Sequence, residues 1–378
     1  MQRMLQTRFT RRAGGAAAAA LGVPLFAGVR LAQAAPAKPG GAGAVYTLTN
    51  AAAGNAVAIF DRASDGSLSA AGTVATGGLG TGGGLGSQGA LALSKSGPWL
   101  FAVNAGSDQI SSLRLSSTGL ALVQTMASGG QRPISLAVHD SLLYVLNAGG
   151  SGNITGFTIG ANGTLKPLAK STRGLAGAAT NPAQVGFSPN GSVLVVTEKA
   201  ANAVVTYTVG ANGRPGDPVS HPSSGAVPFG FDFASDDTLV VSEASGGASS
   251  YEVDDDGSLQ LRTGSLSDHQ TAACWAVATE NGAYAYLANA GSGSISGYRV
   301  ARNGSLTLLN ADGMTGVTGA GSHPTDEALS AGSKYLYVLL TPNSGTSIAG
   351  FAVGDDGSLQ SIGTISGLPV GAVGLAAR

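Results

Sequence analysis

Six side chains in this sequence are suited to acid–base chemistry. They are His139, His221, His269, His323, Glu198 and Glu243. Imidazole is the usual general base near neutral pH, and two carboxylates in different environments can divide the roles of acid and base. We take Glu243, His269 and His323 as candidate catalytic residues, while each histidine could instead be a loop residue that is hydrogen-bonded locally.

A second group of residues could bind an anionic substrate. The candidates are Arg132, Arg173, Gln184 and Glu198. A guanidinium group can hold a carboxylate or an oxyanion through two parallel hydrogen bonds. For Glu198 an alternative is a structural ion pair, with Lys199 or Arg173 as its partner.

Other stretches that resemble known sites have simpler interpretations. The acidic runs Asp254–Asp256 and Asp355–Asp356 lack the downstream glutamate of a calcium loop, and we interpret them as solvated turns. Glycine-rich residues 77–86 lack the Lys-Ser/Thr ending of a phosphate-binding loop, and we interpret them as a flexible loop. Cys274 is expected to pack in the core. No metal and no cofactor is expected.

Seven copies of one sequence unit must position these residues. In residues 142–165, LLYVLNAGGSGNITGFTIGANGTL, two apolar runs are separated by glycine-rich turns, and Asn162-Gly163 predicts a two-residue hairpin turn. The residue that ends the first run recurs at steps of 54, 43, 51, 45, 46 and 51 residues. A period near 48 residues built from short strands is typical of propeller blades.

The repeats predict an all-β, seven-bladed β-propeller of four-stranded blades. Ahead of most copies lies another short apolar run, often opened by proline, which we expect to be the innermost strand. The first copy lacks such a run and the tail, residues 367–377, has one to spare. We therefore expect the C-terminal strand to complete the N-terminal blade, which removes the open sheet edges.

Residues 1–34 differ from the rest and are expected to be an export signal peptide. Arg11-Arg12 precedes a weakly apolar stretch, and Ala32-Gln33-Ala34 offers small residues for cleavage. These features favour the twin-arginine route over the general secretory route and predict a periplasmic or secreted protein. Residues 35–44 would be a short linker and residues 45–378 the propeller domain.

Charge and cysteine content restrict the partners. Removal of residues 1–34 would take five arginines and no acidic residue from a chain with 20 basic and 21 acidic residues, which leaves a formal charge of −6. Without a basic stretch, neither nucleic acid nor a membrane is an expected partner after cleavage. A single cysteine allows no internal disulfide. We expect a monomer with a small-molecule substrate.

The YVLN and YLAN strands, the DGSL and NGSL turns, and starts such as NPAQVGFSPNG and HPTDEALSAGSKYLYVL resemble the seven-bladed lactonase family. That family includes 6-phosphogluconolactonase and carboxymuconate lactonising enzyme, and this chain resembles a divergent secreted branch of it from about Val45 to Arg378. The resemblance implies a catalytic glutamate at Glu243. The family's histidine falls near Ala183 or Gln184, and its two arginines fall on Phe229 and Ala290, so three of the four positions lack the family residue.

Two functions of different classes follow. The first is an exported lactonase or cycloisomerase that acts on a small lactone or related cyclic ester at the channel mouth, with Glu243 and a histidine moving protons and an arginine holding an anionic group. The second is a non-catalytic propeller that binds a ligand or a protein, because a fold does not fix a function. A quinoprotein-type propeller is a more distant alternative.

Overall fold

The computed structural model describes residues 42–378 except Asp236 and Ser344. The expected signal peptide, residues 1–34, lies outside the described residues, as does most of the expected linker. The first strand begins at Gly43, two residues before the expected start of the propeller. Within the described part of the chain, no helix has the length and apolar character needed to cross a membrane.

Short strands make up nearly all of the regular structure. In the first three blades they are β1 Gly43–Leu48, β2 Ala56–Arg62, β3 Leu68–Ala75, β4 Leu91–Leu93, β5 Trp99–Asn104, β6 Gln109–Ser116, β7 Gly119–Ala127, β8 Pro133–His139, β9 Leu142–Asn147, β10 Asn153–Ile159, β11 Leu165–Pro167 and β12 Arg173–Gly174. In the next two they are β13 Pro182–Phe187, β14 Val193–Glu198, β15 Ala203–Thr208, β16 Val219–Pro222, β17 Pro228–Phe233, β18 Thr238–Glu243, β19 Gly247–Val253 and β20 Leu259–Ser267. In the last two they are β21 Ala273–Ala278, β22 Tyr284–Asn289, β23 Ser294–Val300, β24 Leu306–Leu308, β25 Gly316–Val317, β26 Pro324–Leu329, β27 Tyr335–Leu340, β28 Thr346–Val353 and β29 Leu359–Leu368. The last strand, β30 Val373–Ala377, belongs to the first blade. A 3₁₀ turn, Ala331–Ser333, precedes β27.

The strands form seven antiparallel sheets, so the predicted seven-bladed propeller is confirmed. Each sheet has four strands in sequence order from the channel outwards, and blades 3 and 6 add the short strands β12 and β25. The first blade is the exception, with the order β3-β2-β1-β30. Because β30 lies antiparallel to β1, with Val45 opposite Ala377, the C-terminal strand closes the ring as predicted.

The turn between β10 and β11 differs from the expected two-residue hairpin. Five residues connect the strands, and of Asn162 and Gly163 only the glycine has a positive φ, 81°. Asn162 Oδ1 instead accepts hydrogen bonds from the backbone N–H (3.2 Å) and the hydroxyl (2.7 Å) of Thr164. An asparagine side chain that bonds the backbone two residues ahead stabilises a longer turn, and here this preference decides the turn type.

The same turns join neighbouring blades. Tyrosines of the second strands donate a hydroxyl hydrogen bond to the turn glycine of the next blade. The pairs are Tyr144 with Gly213 O (2.7 Å), Tyr286 with Gly357 O (2.9 Å) and Tyr337 with Gly66 O (2.7 Å). These tyrosine rings are fully buried. The recurring DGSL and NGSL turns therefore hold the blades in contact.

Candidate functional site at the channel mouth

One end of the propeller gathers most of the predicted site residues. In four blades a proline that opens the innermost strand lies opposite the last residue of the second strand. These pairs are Pro133 with Asn147, Pro182 with Glu198, Pro228 with Glu243, and Pro324 with Leu340. We call this end of the propeller the mouth.

The channel is crossed near its mouth by residues Gly86–Gln88, which we call the plug segment. Gln88 Nε2 donates to Ala276 O (2.7 Å), and Gln88 Oε1 accepts from the N–H of Ala276 (3.0 Å). The backbone N–H of Gln88 donates to Ala183 O at 3.1 Å. Because Ala183 and Ala276 belong to the innermost strands of blades 4 and 6, the segment spans the ring rather than following one blade.

Further bonds hold the plug segment and the glycines before it. Trp275 Nε1 donates to Ser87 O (3.0 Å), and Ser87 Oγ donates to Ile134 O (2.9 Å). Asn50 Nδ2 donates to Gly83 O at 2.6 Å. At Gly230 a Cβ atom would collide with Gln88 Oε1, so glycine there makes room for the plug. The plug segment and the glycines before it thus bind blades 1, 3, 4 and 6, while the flexibility predicted for residues 77–86 stays a prediction.

Above the plug segment lies a cavity of about 390 Å³, which we call the mouth cavity. Its walls are residues 82–87, Trp275, Thr325, Thr341 and residues 370–373. In the described structure the backbone N–H groups of Gly84, Leu85 and Gly86 donate to no protein acceptor. Gly84 and Gly86 are exposed, and Leu85 between them is buried.

His323 does not itself line the mouth cavity but directly precedes the strand that contains the lining residue Thr325. It is exposed, stands two residues before Thr325, and accepts a hydrogen bond through its carbonyl oxygen from the N–H of Thr341 at 3.0 Å. Both threonines line the cavity. His269, also exposed, lies in the loop before β21 and does not line the cavity. Neither predicted catalytic histidine lines the cavity, and His323 is the nearer of the two in sequence to a lining residue.

The other two histidines have local hydrogen bonds. His221 Nε2 lies 3.1 Å from both Thr206 Oγ1 and Gly257 O, in the contact between blades 4 and 5. His139 ends β8 at the opposite face, where Nε2 lies 3.1 Å from Pro189 O. Both rings have structural contacts away from the mouth cavity.

Glu243 is fully buried at the end of β18. Its Oε1 accepts from the N–H of Gly225 (2.7 Å) and from the hydroxyl of Ser249, and its Oε2 accepts from the hydroxyl of Ser265. These donors join the entry loop and the two outer strands of blade 5 to β18. The carboxylate therefore has three donors from its own blade. In the sequence, the hydroxyl residues Ser249 and Ser265 were the available signal of these contacts.

Glu198 is also fully buried. Its Oε1 accepts from the N–H of Ala176 at 3.0 Å, and Oε2 has no partner among the described residues. Burial raises the pKa of this carboxyl above its ordinary value. In the structure as described, Glu198 forms no ion pair with Lys199 or Arg173.

The remaining predicted binding residues lie in different parts of the propeller. Arg132 directly precedes β8 at the mouth and is exposed. Arg173 lies in β12, the added outer strand of blade 3, where it donates to Gly216 O (3.1 Å) and lies 3.6 Å from Asp217. Gln184 bonds both the N–H (2.8 Å) and the C=O (2.9 Å) of Phe231, which joins the innermost strands of blades 4 and 5.

Lys199 is a residue of the mouth that sequence reasoning considered only as an ion-pair partner. Its ammonium donates to Gly86 O of the plug segment and lies 4.6 Å from the ring centroid of Phe229. Burial, opposed by the Cys274 thiol and assisted by the charge of Arg132, lowers the pKa of Lys199 to about 8. A lysine directly after a second strand, where most repeats have a small residue, was the available signal.

Three acids in the innermost strands were also missed, of which Asp326 and Glu327 are buried and Asp232 is half-buried. Asp232 accepts from the N–H of Ala278 (2.8 Å), and Asp326 accepts from the N–H of Glu327 (2.9 Å). Neither carboxylate oxygen of Glu327 has a partner among the described residues. Burial, and then the nearby Asp326, raise the pKa of Glu327 well above its ordinary value. The available sequence signal for these residues was the presence of acidic side chains within the apolar runs PFGFDF and PTDEAL.

The comparisons with known proteins agree with this architecture. Residues 45–179 match the model of a family described as lactonase, 7-bladed beta-propeller. A periplasmic gluconolactonase from Pseudomonas aeruginosa has a TM-score of 0.66 at 18% identity, covering 87% of this chain and 98% of that one. A candidate 6-phosphogluconolactonase from Bacteroides uniformis has a TM-score of 0.68 at 20% identity, covering 88% and 98%. A protein from Lactobacillus plantarum has a TM-score of 0.71 at 17% identity, covering 89% and 99%.

At these identities the solved structures show a shared fold alone. No curated protein matches the sequence. The family model covers the first three blades, and the solved structures extend the likeness to the whole ring. The resemblance of this seven-bladed propeller to the lactonase family is therefore confirmed, with the family match itself on residues 45–179.

Proposed function

We propose that this protein is an exported, lactonase-like propeller that hydrolyses a small lactone in the mouth cavity. One arrangement carries the proposal: residues 84–86, whose backbone N–H groups have no acceptor in the described structure, line the same cavity as Thr325, and His323 stands two residues before Thr325. Amide donors that stabilise an oxyanion and an imidazole that accepts a proton are the two components that ester hydrolysis requires.

In the proposed reaction, His323 accepts a proton from a water molecule as that water attacks the lactone carbonyl carbon. The carbonyl oxygen becomes an oxyanion, which the amides of residues 84–86 stabilise. The ring C–O bond then breaks, and the ring oxygen takes the proton from the imidazolium. The product is an open-chain hydroxy acid, and the imidazole returns to its neutral form.

The charges at the mouth favour an anionic lactone. Arg132 and Lys199 both lie at the mouth, and Lys199 contacts the plug segment whose residues wall the cavity. A guanidinium and an ammonium in a partly desolvated site attract a carboxylate or phosphate more strongly than they would in water. We propose Arg132 as the group that holds the substrate anion, and we assign Arg173, Gln184 and Glu198 to the support of the blades around it.

Glu243 retains a proposed role that can be separated from that of His323. With three donors on its carboxylate, we propose that it positions the entry loop of blade 5 and takes no part in proton transfer. His269 is proposed to be dispensable because it lies in the loop before β21, whereas His323 stands two residues from Thr325, which lines the cavity.

The location and the state of the protein are proposals too. Arg11-Arg12 and the small residues at positions 32–34 support export, and one structural relative is a periplasmic enzyme. We further propose a small-molecule substrate, no nucleic-acid or membrane partner after cleavage, and a monomeric state.

A non-catalytic binding propeller is the second candidate. It is supported by the plug segment, because Gln88 crosses the channel and a ligand that enters from the mouth would stay in the mouth cavity. The same cavity would then bind an anionic small molecule without opening it.

Acid release from a panel of sugar and aromatic lactones, with and without a carboxylate or phosphate, separates the two functions. We expect the protein to open at least one anionic lactone faster than buffer does. His323→Gln should lower turnover by about 100-fold, the usual scale for loss of a general base, whereas the matched exposed variant His269→Gln should retain it. If no lactone is opened but one binds, the binding function is the correct one.

A further inference from the structure

Lys199 is placed differently from the exposed lysines of this protein. It follows Glu198 at the end of β14, where its backbone N–H donates to Asn181 O at 3.2 Å. Its side chain passes over the face of Phe229 and reaches Gly86 O. Phe229 in turn packs against Trp275, with ring centroids 4.9 Å apart. The amine thus lies between an aromatic pair and the plug segment at the mouth.

No carboxylate balances this amine in the described structure. The ion pairs within residues 42–378 do not include Lys199, and the adjacent Glu198 bonds the N–H of Ala176 instead. The ionisable groups that face it are Arg132, from the start of β8, and the buried thiol of Cys274, from β21. A neighbouring cation and a desolvating aromatic surface both favour the neutral form of an amine.

We propose that Nζ of Lys199 is a nucleophile that captures small aldehydes or 2-oxo acids as an imine at the mouth. A lysine desolvated beside another cationic group is a recognised way to activate an amine toward carbonyl compounds. Arg132 suits a substrate whose carboxylate is next to its carbonyl group, since the guanidinium can hold the carboxylate while the amine attacks.

The step balances without a further reagent. The lone pair of neutral Nζ attacks the carbonyl carbon, the C–N bond forms, and the former carbonyl oxygen takes a proton to give a carbinolamine. Nitrogen then loses its proton as the hydroxyl leaves as water, which produces the imine. Overall, one amine and one carbonyl compound give one imine and one water. This activity goes beyond the proposed lactone hydrolysis because it does not use His323.

The test is reductive trapping with glyoxylate. The whole protein is incubated with glyoxylate and cyanoborohydride near pH 7.5, digested, and the carboxymethylated lysines are mapped by mass spectrometry. We expect Lys199 to be labelled about 10-fold faster than the exposed residues Lys166 and Lys170, because more of its amine is neutral at this pH. Labelling at Lys199 no faster than at those lysines would overturn the proposal.

Three variants and one control variant test the proposal further. Lys199→Arg should remove the fast label without changing the unfolding midpoint, while the control Lys334→Arg should keep it. Arg132→Ala should slow labelling by glyoxylate more than labelling by neutral propanal; equal slowing would contradict the anchoring role. His323→Gln should label at the normal rate even if lactone hydrolysis is lost, so failure of one proposal is distinguishable from failure of the other.

Discussion

Gln88 and Ala276 exchange two hydrogen bonds across the channel, at 2.7 and 3.0 Å, although they lie 188 residues apart in the chain. The pair joins the entry to blade 2 with the innermost strand of blade 6. Because these blades are not neighbours, the contact ties together opposite sides of the ring. The contact also obstructs the channel, so a ligand that enters from the mouth would lie above the plug segment.

We expect Gln88→Ala to destabilise the propeller by roughly 1–3 kcal/mol, because it leaves the buried N–H and C=O of Ala276 without partners. The measurement is urea unfolding followed by tryptophan fluorescence, which also reports on Trp275. The control is Gln360→Ala, an exposed position in β29, which should change stability by less than about 0.5 kcal/mol. Equal stability of the two variants would show that the plug contact contributes nothing.

Glu327 should make the stability of the protein depend on pH. Its pKa is raised in the folded state, so above the ordinary value of 4.5 the unfolded chain loses a proton that the folded chain keeps. Stability should therefore fall as pH rises above that value, by up to about 1.4 kcal/mol per pH unit for this one group.

Glu327→Gln removes this ionisation while keeping the shape of the side chain. We expect the variant to lose part of the decline between pH 5 and 8, with the remainder due to Asp326, whose pKa burial also raises. Chemical denaturation across this pH range measures the effect, and exposed Glu280→Gln should keep the decline of the natural protein. A parallel pH dependence in both variants would contradict the assignment.

Removal of residues 368–378 should abolish cooperative folding, because it deletes β30 and exposes the inner edge of β1. Circular dichroism and solubility during thermal unfolding test this. Val370 is 69% exposed at the mouth, while Val373 is half-buried. A truncated chain that unfolds as sharply as the full chain would contradict closure by β30.

Export through the twin-arginine route should depend on Arg11 and Arg12. Replacement of both by lysine keeps the charge and should retain the protein in the cytoplasm, with the mature form otherwise starting near Ala35. Cell fractionation and N-terminal sequencing provide the measurement. Normal export of the double-lysine variant would instead assign the general secretory route.

The sequence predicted the fold because the fold depends on local signals. Strand-length apolar runs such as residues 142–146, and turns such as Asn162-Gly163, recur at a nearly constant period, so the blades and their number follow directly. Closure by Val373–Ala377 followed from counting one missing and one spare strand. The prediction of the turn conformation was wrong in detail, because the Asn162 side chain selects the conformation and the backbone preference of Asn-Gly does not.

The site was harder to predict because its contacts are long-range. Nothing in the glycine run that precedes Gln88 indicates that the Gln88 side chain binds Ala276. A Gly-rich composition usually indicates flexibility. Lys199 depends on Phe229, thirty residues ahead, for its desolvation. For Glu243 the carboxylate at a strand end was recognised, but its three donors become apparent only when β18, β19 and β20 pair.

Hydrolysis of a lactone in the mouth cavity is the central claim, and blocking that cavity tests it most directly. Val370 lines the cavity and is 69% exposed, whereas Val317 is 63% exposed and does not line it. The measurement is kcat/KM for the best lactone of the panel with Val370→Trp and Val317→Trp. We predict a loss of about 10-fold or more for Val370→Trp, because the indole occupies the substrate volume, and little change for Val317→Trp. Equal activity of the two variants would contradict the account.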